Sequence, residues 1–331
     1  MSLLRVEHSL GFAQLQDGGR FGVRQLGVTQ GGALDWIAQH WANWLLGNPL
    51  DACVIEIPLG GLTLRAEADG WLALCGADLN TKLDQQPLAP WQAFAIRSGQ
   101  QLEFTQPRSG VRAYLAAAGG FEATSVLGSV ATVMREGLGG LHGDGTGLKS
   151  GDQLTYSAQP AIGRNMPPEA IPDYQSAVTL QLLLGAQSNQ FSGASLFAVF
   201  NREWTLDQRA DRMGMRLTGP VLQYQGEPLI SEGIPLGAVQ VPPDGLPIVL
   251  LNDRQTIGGY PRLGALTPAS IARLAQCAPG QKIRLQPISQ QQARQEQLAC
   301  GLWLAACGLR LKVSLRDSPV AIVPTGCALP G

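Results

Sequence analysis

The sequence predicts a mainly β fold in two halves, with a few helices. Glycine (41 residues) and proline (22 residues) are abundant in the 331-residue chain, and only 15% of its residues are charged. This balance suits many short strands joined by tight turns, and the length is enough for two domains with a core in each. A turn with glycine in second place leads into an alternating strand at 98–104, 150–156 and 279–285, which points to related β structures in both halves.

Residues 1–160 form the first predicted domain, which is β-rich. Short apolar runs alternate there with turns that contain Gly, Asp-Gly or Pro. One helix is predicted ahead of these runs, and the chain leaves it at Gly47 to Pro49. The apolar side of this helix recurs with helical spacing at Leu34, Ile37, Ala38, Trp41 and Leu45.

Residues 161–175 form the predicted linker, because this stretch is rich in proline and has no periodicity. A second β-rich domain is predicted at 176–290, with a short helical turn after Thr267. A tail at 291–331 follows and has no assigned role. Ser289 is expected to cap a helix that runs into the tail as far as about Ala306.

The charge and histidine patterns exclude several function classes. The net charge is -1, so neither nucleic acid nor a membrane surface is an expected partner. No apolar run approaches the roughly 20 residues that span a bilayer, and the first residues lack the apolar core of a signal peptide. We therefore expect a cytoplasmic protein. The three histidines lie far apart in sequence, so no metal site is predicted.

Polar residues gather at a strand end in PPDGLPIVLLNDRQTIGGYP, residues 242–261. A turn at 242–245 returns the chain and is predicted to place Ile234 opposite Asp253 and Glu232 near Gln255. The residues expected to converge there are Glu232, Asp253, Arg254, Gln255 and Thr256. Gly258 and Gly259 permit a close backbone approach. The cluster is interpreted either as a ligand site at a barrel mouth or as a turn held by an Asp–Arg pair.

Two further segments combine charged residues with glycine. In QRADRMGMRLTGP, Arg212 is one of three arginines that either bind a phosphate or carboxylate or line a charged surface loop. QDGGRFGVRQLGVTQGGALD holds Asp17, Arg20 and Arg24 but has neither a P-loop nor a Rossmann pattern. Its last glycine pair leads into the predicted helix, where exposed amides favour an anion.

Two polar residues are predicted to lie inside the first domain, and a third lies in an apolar run with two possible environments. Asp35 and Asn43 share one stripe of the helix, beside a stripe of aromatic residues that leaves little ordinary surface. We therefore expect both to be buried with fixed hydrogen-bond partners. Glu56, in the apolar run CVIEIP, is either an edge residue or a buried, hydrogen-bonded carboxylate.

Several longer motifs resemble one protein family, from about residue 3 to about residue 290. They are QDGGRFGVRQLGV, GGALD, EIPLGG, AYLAAAGGF, ADRMGMRLTGP and SEGIPLGAVQVPPDGLPIVLLNDRQTIGGYP. The sequence resembles the second-subunit family of allophanate hydrolase, which includes KipA-type proteins and the C subunit of bacterial 5-oxoprolinase. Related sequence forms part of the carboxyltransferase region of biotin-dependent urea carboxylase. The resemblance implies two cyclophilin-like β-barrel domains.

The resemblance also implies an activity and partners. Members act in an ATP-dependent 5-oxoprolinase complex that opens the lactam of 5-oxo-L-proline to L-glutamate. The expected partners are 5-oxoprolinase subunits B and A, which are KipI-like and LamB/YcsF-like proteins. ATP with magnesium is the cofactor implied for the complex, and no tightly bound cofactor is expected on this chain. Phosphate transfer to the lactam oxygen would create a leaving group on an otherwise unreactive amide.

Roles follow for the residues of the matched motifs. We expect Arg212 and Arg254 to stabilise phosphate or the substrate carboxylate, and Glu232 with Asp253 to act as a general-base or metal-bound pair. The substrate-binding and cleft residues are expected to be Gln240, Gln255, Thr256, Gly258, Gly259, Tyr260, Asp17, Arg20, Asp35 and Asn43.

Two other functions fit the same motifs. One is a biotin-dependent carboxyltransferase or an allophanate-type amidohydrolase, although this chain has no Met-Lys site for biotinylation. The other is a non-enzymatic regulator that binds a kinase inhibitor, as in KipA-type proteins. Binding of protein only, and never of nucleotide, by the purified chain would favour the regulator.

Overall fold

A computed structural model describes residues 2–158 and 164–306, with side chains as far as residue 299. Within residues 2–158 the strands form two antiparallel sheets. The strands are β1 (Ser2–Ser9), β2 (Gln14–Gln16), β3 (Val54–Pro58), β4 (Leu62–Ala66), β5 (Gly70–Asp78), β6 (Lys82–Leu83), β7 (Gln86–Pro87), β8 (Gln92–Ile96), β9 (Gln101–Phe104), β10 (Ser109–Ala117) and β11 (Gln153–Tyr156). One sheet has the order β11-β1-β4-β9-β6-β7, and the other has the order β2-β3-β10-β5-β8.

The two sheets enclose the first hydrophobic core. Alternate residues of β4 point inward, because its sequence LTLRA places Leu62 and Leu64 on one face. In β3 the first four residues are all buried, since one face packs on this core and the other on a helix. Glu56 lies on the helix-facing side of β3 and is therefore inside the protein.

The helix α1 (Trp36–Leu46) covers the second sheet. Asp35 caps its first turn by accepting a hydrogen bond from the Ala38 N–H at 3.1 Å. Gly47 ends it with a left-handed φ of 75°, so the predicted end is confirmed. The helix begins a few residues later than Gly31-Gly32, which leaves residues 31–35 outside regular secondary structure and available for other contacts.

His40 on α1 is partly buried, and its Nδ1 is buried without a hydrogen-bond partner among the described residues. Its ring meets Trp36 edge-on, with the ring centroids 5.2 Å apart. Burial lowers the pKa of His40 from 6.5 to about 4, against a smaller raising effect of Asp51. Because the folded-state pKa is the lower one, the unfolded chain binds more protons below about pH 6.5, and stability falls from there toward about pH 4.

We expect His40 to account for a loss of about 2–3 kcal/mol in the free energy of unfolding between about pH 7 and about pH 4.5. Urea denaturation at both pH values measures this loss. His40→Gln should remove that part of the pH dependence, whereas His8→Gln, at an exposed position of β1, should retain it. Equal pH dependence in the wild type and in His40→Gln would contradict the assignment.

The second half closes into a barrel of the order β12-β19-β16-β17-β14-β13-β20. Its first and last strands pair in parallel, while the other barrel pairs are antiparallel. A short ribbon of β15 and β18 extends beyond it. The strands are β12 (Val178–Leu184), β13 (Trp204–Leu206), β14 (Gly214–Thr218), β15 (Glu232–Gly233), β16 (Ala238–Gln240), β17 (Ile248–Leu250), β18 (Ile257–Gly258), β19 (Arg262–Leu266) and β20 (Lys282–Ile288).

The predicted pairing around the turn at 242–245 is wrong by a few residues. Gln240 pairs with Ile248, and the Ile234 N–H bonds to the carbonyl oxygen of Thr256 at 3.0 Å, so Ile234 does not lie opposite Asp253. The chain leaves the barrel in a tight turn after β17, where the Arg254 N–H bonds to the Leu251 carbonyl at 3.2 Å. This turn shifts the register of the ribbon relative to that of the barrel.

Three helices accompany the second half: α2 (Gly193–Asn201), α3 (Pro268–Ala275) and α4 (Gln290–Ala306). Thr267 caps α3, and Ser289 accepts from the Gln292 N–H at 3.2 Å at the start of α4, so both predicted helices are confirmed. The sequence did not predict α2, which Ser192 caps. Short 3₁₀ turns lie at Arg24–Leu26, Met134–Glu136, Pro168–Ala170 and Ser188–Gln190.

The mainly β fold with few helices is confirmed. The domain boundaries at 160, 175 and 290 stay a prediction, and most of the tail at 291–331 lies outside the described residues. Part of the predicted linker packs on the first half, because Met166 and Tyr174 are buried against α1 and its sheet. In the portion of the chain that the structure describes, no helix is long and apolar enough to cross a membrane.

Candidate functional site

Arg212 is the centre of a buried ion-pair network at the seam, by which we mean the contact of residues 2–158 with residues 178–288. Its Nε and Nη2 donate to the two carboxylate oxygens of Asp253, at 2.9 and 3.1 Å. Its Nη1 donates to Oε1 of Glu56, and Nη2 also donates to the Gly32 carbonyl at 2.7 Å. Most of its N–H groups are therefore used within the protein, so Arg212 joins the two halves.

The charges of this network stabilise one another. Burial acts to raise the pKa of Glu56, but the charges of Arg212 and Arg112 outweigh it and hold the pKa below its ordinary value. Burial raises the pKa of Asp253, against the lowering effect of Arg212. Of the two sequence interpretations of Glu56, the buried and hydrogen-bonded carboxylate is confirmed.

Glu56 also occupies the amides ahead of α1. Its Oε2 accepts from the Leu34 N–H at 3.0 Å and from the Tyr114 hydroxyl at 2.9 Å. The same hydroxyl accepts from the Asp35 N–H at 2.8 Å. The anion expected at these amides is thus the chain's own carboxylate.

Asn252 connects the irregular segment before α1 to the second half. Its Nδ2 donates to the carbonyl oxygens of Gly31, Gly32 and Ala33, at 3.2, 3.1 and 3.1 Å. Its own main-chain carbonyl oxygen accepts from the Gly31 N–H at 3.2 Å. The segment before α1 and the turn after β17 are therefore held together by four hydrogen bonds.

Asp35 belongs to a second joint of the seam. Its Oδ2 accepts from Nε2 of Gln276 at 2.8 Å and from the Tyr174 hydroxyl at 3.1 Å. The same Gln276 nitrogen donates to the Arg112 carbonyl at 2.9 Å. Burial raises the pKa of Asp35, although these hydrogen bonds act to lower it. The predicted burial of Asp35 is confirmed, and its partners span both halves.

Asp17 and Arg20 hold the N-terminal loop on residues 126–130. The carboxylate of Asp17 accepts from the Ser129 hydroxyl at 2.5 Å and from the Val130 N–H at 2.8 Å. Arg20 donates from Nε to the Val126 carbonyl at 3.0 Å, and its Nη1 is buried without a partner among the described residues. Burial lowers the pKa of Arg20, while the charges of Asp17 and Asp253 act to raise it.

An open cavity of about 450 Å³ lies beside this loop. It is lined by residues of the N-terminal loop, of the ribbon and of the turn after β17: Arg24, Gln25, Gly233, Ile234, Pro235, Thr256 and Ile257. Arg24 donates from Nη2 to the carbonyl oxygens of Ile234 at 2.7 Å and Thr256 at 3.2 Å. Arg254, which is 2% exposed, donates from Nε to the same Ile234 carbonyl at 3.1 Å.

Other predicted site residues lie around the ribbon. Glu232 is exposed and pairs with Arg262, so it does not share an ion pair with Asp253. Gln240 is buried, and its Nε2 donates to the Tyr260 carbonyl at 3.4 Å, while the ring of Tyr260 is half exposed. Gln255 is half-buried between Arg254 and Thr256.

The glycine pair after the ribbon lies in crowded surroundings. A Cβ at Gly258 would lie 2.7 Å from Cδ1 of Ile234, and one at Gly259 would lie 3.2 Å from the Leu229 carbonyl. The near neighbours of Gly258 are side-chain atoms, so the close backbone approach expected at this pair stays a prediction.

Asn43 has a local structural environment. It is fully buried, as predicted, and its Nδ2 donates to the carbonyl oxygens of Leu50 and Ala52, at 3.0 and 2.9 Å. Its Oδ1 accepts from Asn48 at 2.9 Å. These bonds hold residues 48–52, which follow α1, against the helix. The contacts of Asn43 do not reach the cavity.

The structure brings together all three segments singled out in the sequence, because Arg212 bonds to both Asp253 and Gly32. It also adds residues that the motifs did not single out. Asn252, Tyr114 and Gln276 hold the seam, but no local sequence pattern indicates the distant partner of any of them. Arg24 had a signal, since it lies in a glycine-rich loop beside Arg20. In the described part of the chain, no group of three or more His, Cys, Asp or Glu side chains is placed to hold a metal ion.

Comparison with known proteins places this arrangement in a family. Residues 26–287 match the carboxyltransferase domain, subdomain A and B. The chain is 38% identical to the C subunit of 5-oxoprolinase from Escherichia coli over 303 residues, which are 89% of this chain and 95% of that protein.

Solved structures with the same fold belong to longer chains. The crystal structure of TTHA0988 is 35% identical with a TM-score of 0.76, covers 86% of this chain, and is itself covered to 56%. The Kluyveromyces lactis urea amidolyase is 24% identical with a TM-score of 0.85, covers 94% of this chain, and is covered to 20%, which shows the fold. The chain therefore belongs to the carboxyltransferase domain family, subdomain A and B, with the C subunit of 5-oxoprolinase among its relatives.

Proposed function

We propose that this chain is the C subunit of an ATP-dependent 5-oxoprolinase that opens 5-oxo-L-proline to L-glutamate. The observation that carries the proposal is the 38% identity to the C subunit of the Escherichia coli 5-oxoprolinase along nearly the whole length of both chains. A match over this length covers both the surfaces that would contact partner subunits and the residues that would form the substrate site. The expected partners are subunits B and A, and the chain is expected to be inactive without them.

The proposed reaction activates a stable amide. Transfer of the γ-phosphoryl group of ATP to the lactam oxygen makes the ring carbon electrophilic. Addition of water to that carbon and departure of the ring nitrogen open the ring and leave an acyl phosphate. A second water hydrolyses the acyl phosphate, so one ATP and two waters yield glutamate, ADP and phosphate. The protein supplies positioning and cations for the phosphoryl oxygens.

The cavity beside the N-terminal loop is the proposed place of the lactam on this chain. Thr256 lines it, and Gln255 and Tyr260 lie next to it in sequence or along the ribbon. Hydroxyl and amide groups of this kind are suited to hydrogen bonds with the lactam N–H and carbonyl. Magnesium-bound ATP is proposed to enter together with the partner subunits.

We propose Asp253 as the general base. Its raised pKa suits proton transfer, but both of its oxygens accept hydrogen bonds from Arg212. Asp253→Asn within the complex should lower kcat by at least 10-fold if Asp253 takes a proton. Activity within about 2-fold of the wild type, with unchanged unfolding behaviour, would show that Asp253 is not the general base and has only a structural role at the seam.

The test of the proposed function is turnover by the reconstituted complex. We expect glutamate release and ATP consumption when this chain is co-purified with subunits A and B and given 5-oxo-L-proline. Omission of any one chain should abolish both signals. A well-formed complex that consumes no ATP with 5-oxo-L-proline would exclude the proposed reaction.

A carboxyltransferase function is the second candidate, because the matching family carries that description. It requires a biotin carrier and a carboxylase as partners, with urea or a related amide as the acceptor. Transfer of labelled carboxyl from carboxybiotin to such an acceptor, in the presence of this chain and its B-type partner, would favour this function.

A further inference from the structure

Two arginines share one carbonyl oxygen at the edge of the cavity. Nη2 of Arg24 and Nε of Arg254 lie 2.7 and 3.1 Å from the oxygen of Ile234. The two guanidinium groups are thus neighbours, although like charges repel. Within residues 2–158 and 164–299, neither arginine forms an ion pair with a carboxylate.

Such a pair is costly to the folded protein unless an anion joins it. Arg254 is 2% exposed, and an isolated buried cation is strongly unfavourable. Burial first and the charge of Arg24 second lower the pKa of Arg254 to about 9. Burial also lowers the pKa of Arg24. In contrast, the side chain of Arg212, which is also largely buried, is bonded to two carboxylates.

The hydrogen bonds of the Arg254 side chain are not needed to satisfy the backbone. Its Nη1 donates to the Leu251 carbonyl at 3.2 Å, but that oxygen also accepts from the main-chain N–H of Arg254. The Ile234 oxygen likewise keeps the bond from Arg24. A shorter apolar side chain would leave both carbonyls paired, so packing and backbone bonding do not explain a cation at this position.

Arg24 lines the cavity and keeps donors that no described residue uses. Only its Nη2 bonds to the described residues, and its Nη1 is buried without a partner. The guanidinium edge matches the two oxygens of a carboxylate. The remaining lining includes Ile234, Pro235 and Ile257, which suit a compact apolar body better than a polyphosphate.

We propose that Arg24 binds the carboxylate of a small organic acid in this cavity, with Arg254 as a positioning residue that adds positive potential behind it. The identity of the acid rests on the proposed function, since 5-oxo-L-proline combines one carboxylate with a small ring. A carboxylate in this place neutralises the neighbouring cations and so accounts for their proximity.

Thermal unfolding of the purified chain tests the carboxylate. 5-Oxo-L-proline should raise Tm at constant ionic strength. 2-Pyrrolidinone, which is the same ring without the carboxylate, should not raise it. The rise should be lost in Arg24→Met but retained in Arg209→Met, whose arginine is exposed and paired with Asp207. A rise with inorganic phosphate alone, an equal rise with 2-pyrrolidinone, or no rise with any probe would overturn the proposal.

Arg254→Met separates binding from structure. Without ligand, this variant should unfold at the wild-type Tm or above it, because an unpaired buried charge is removed. With 5-oxo-L-proline its Tm rise should be smaller than that of the wild type. A Tm that falls by several degrees without ligand would show that Arg254 is a structural residue, and would overturn its part in the proposal.

Kinetics of the three-chain complex distinguish failure of the site from failure of the function. Arg24→Met should raise KM for 5-oxo-L-proline about 10- to 100-fold, with kcat changed less, because a charge-assisted bond to the bound substrate is lost. Turnover by Arg24→Met with an unchanged KM would overturn the proposed carboxylate site but would not affect the proposed function. A carboxylate-dependent rise in Tm, in a complex that shows no turnover, would overturn the proposed function but would still support the carboxylate site.

Discussion

Arg212→Met is expected to lower the free energy of unfolding by about 3–5 kcal/mol. The methionine retains most of the side-chain volume, but it leaves the carboxylates of Glu56 and Asp253 buried without their cation. Loss of one partner of a buried ion pair is more costly than the pair is worth, because the remaining charge stays desolvated. Urea denaturation followed by tryptophan fluorescence measures the difference.

Arg209→Met is the matched control for Arg212→Met, because it removes an arginine of the same segment. Arg209 is exposed and pairs with Asp207, so the expected loss of stability is much smaller than for Arg212→Met. Neutralising the stranded acids as well, with Glu56→Gln and Asp253→Asn, should recover part of the stability of Arg212→Met. Similar losses for the two single arginine variants would contradict the central place of Arg212.

Asn252→Asp is expected to lower the free energy of unfolding by about 3 kcal/mol or more. The side chain keeps its size, but an oxygen replaces the Nδ2 that donates to the carbonyls of residues 31–33. A carboxylate would then face three carbonyl oxygens and stand beside Asp253. The comparison is made by urea denaturation at neutral pH.

The pH dependence of Asn252→Asp gives a further check. The new carboxyl group should have a raised folded-state pKa, so its destabilising effect should diminish as the pH falls and the group takes up a proton. Asn189→Asp, at an exposed position without such carbonyl partners, should change stability by less than about 0.5 kcal/mol. If Asn252→Asp has the same free energy of unfolding as the wild type, residues 31–33 are not held by this amide.

Local signals predicted local structure well. The end of α1 followed from Gly47, the start of α3 from Thr267, and the strand-rich halves from alternating runs between glycine turns. Each of these features depends on residues within a few positions of one another. The ribbon register was wrong because a tight turn after β17, invisible in the alternation, changes the pairing.

The site was less predictable because its contacts are distant in sequence. Arg212 meets Glu56 across 156 positions, and Arg24 meets the Ile234 carbonyl across 210 positions. The motifs indicated that Asp253 and Arg254 mattered together, yet the structure gives one a cation and leaves the other without an anion among the described residues. Neighbours in sequence thus have opposite electrostatic surroundings, which composition and spacing do not reveal.

The seam has a consequence for how the protein melts. In the Arg212 network and at Gln276, buried polar groups of one half are paired with buried polar groups of the other. Unfolding of either half alone would therefore leave unpaired groups on its neighbour. We expect the two hydrophobic cores to behave as one cooperative unit, with a single calorimetric transition for the two. A ligand held by Arg24 against the ribbon would then stabilise both cores at once, although it touches only their common edge.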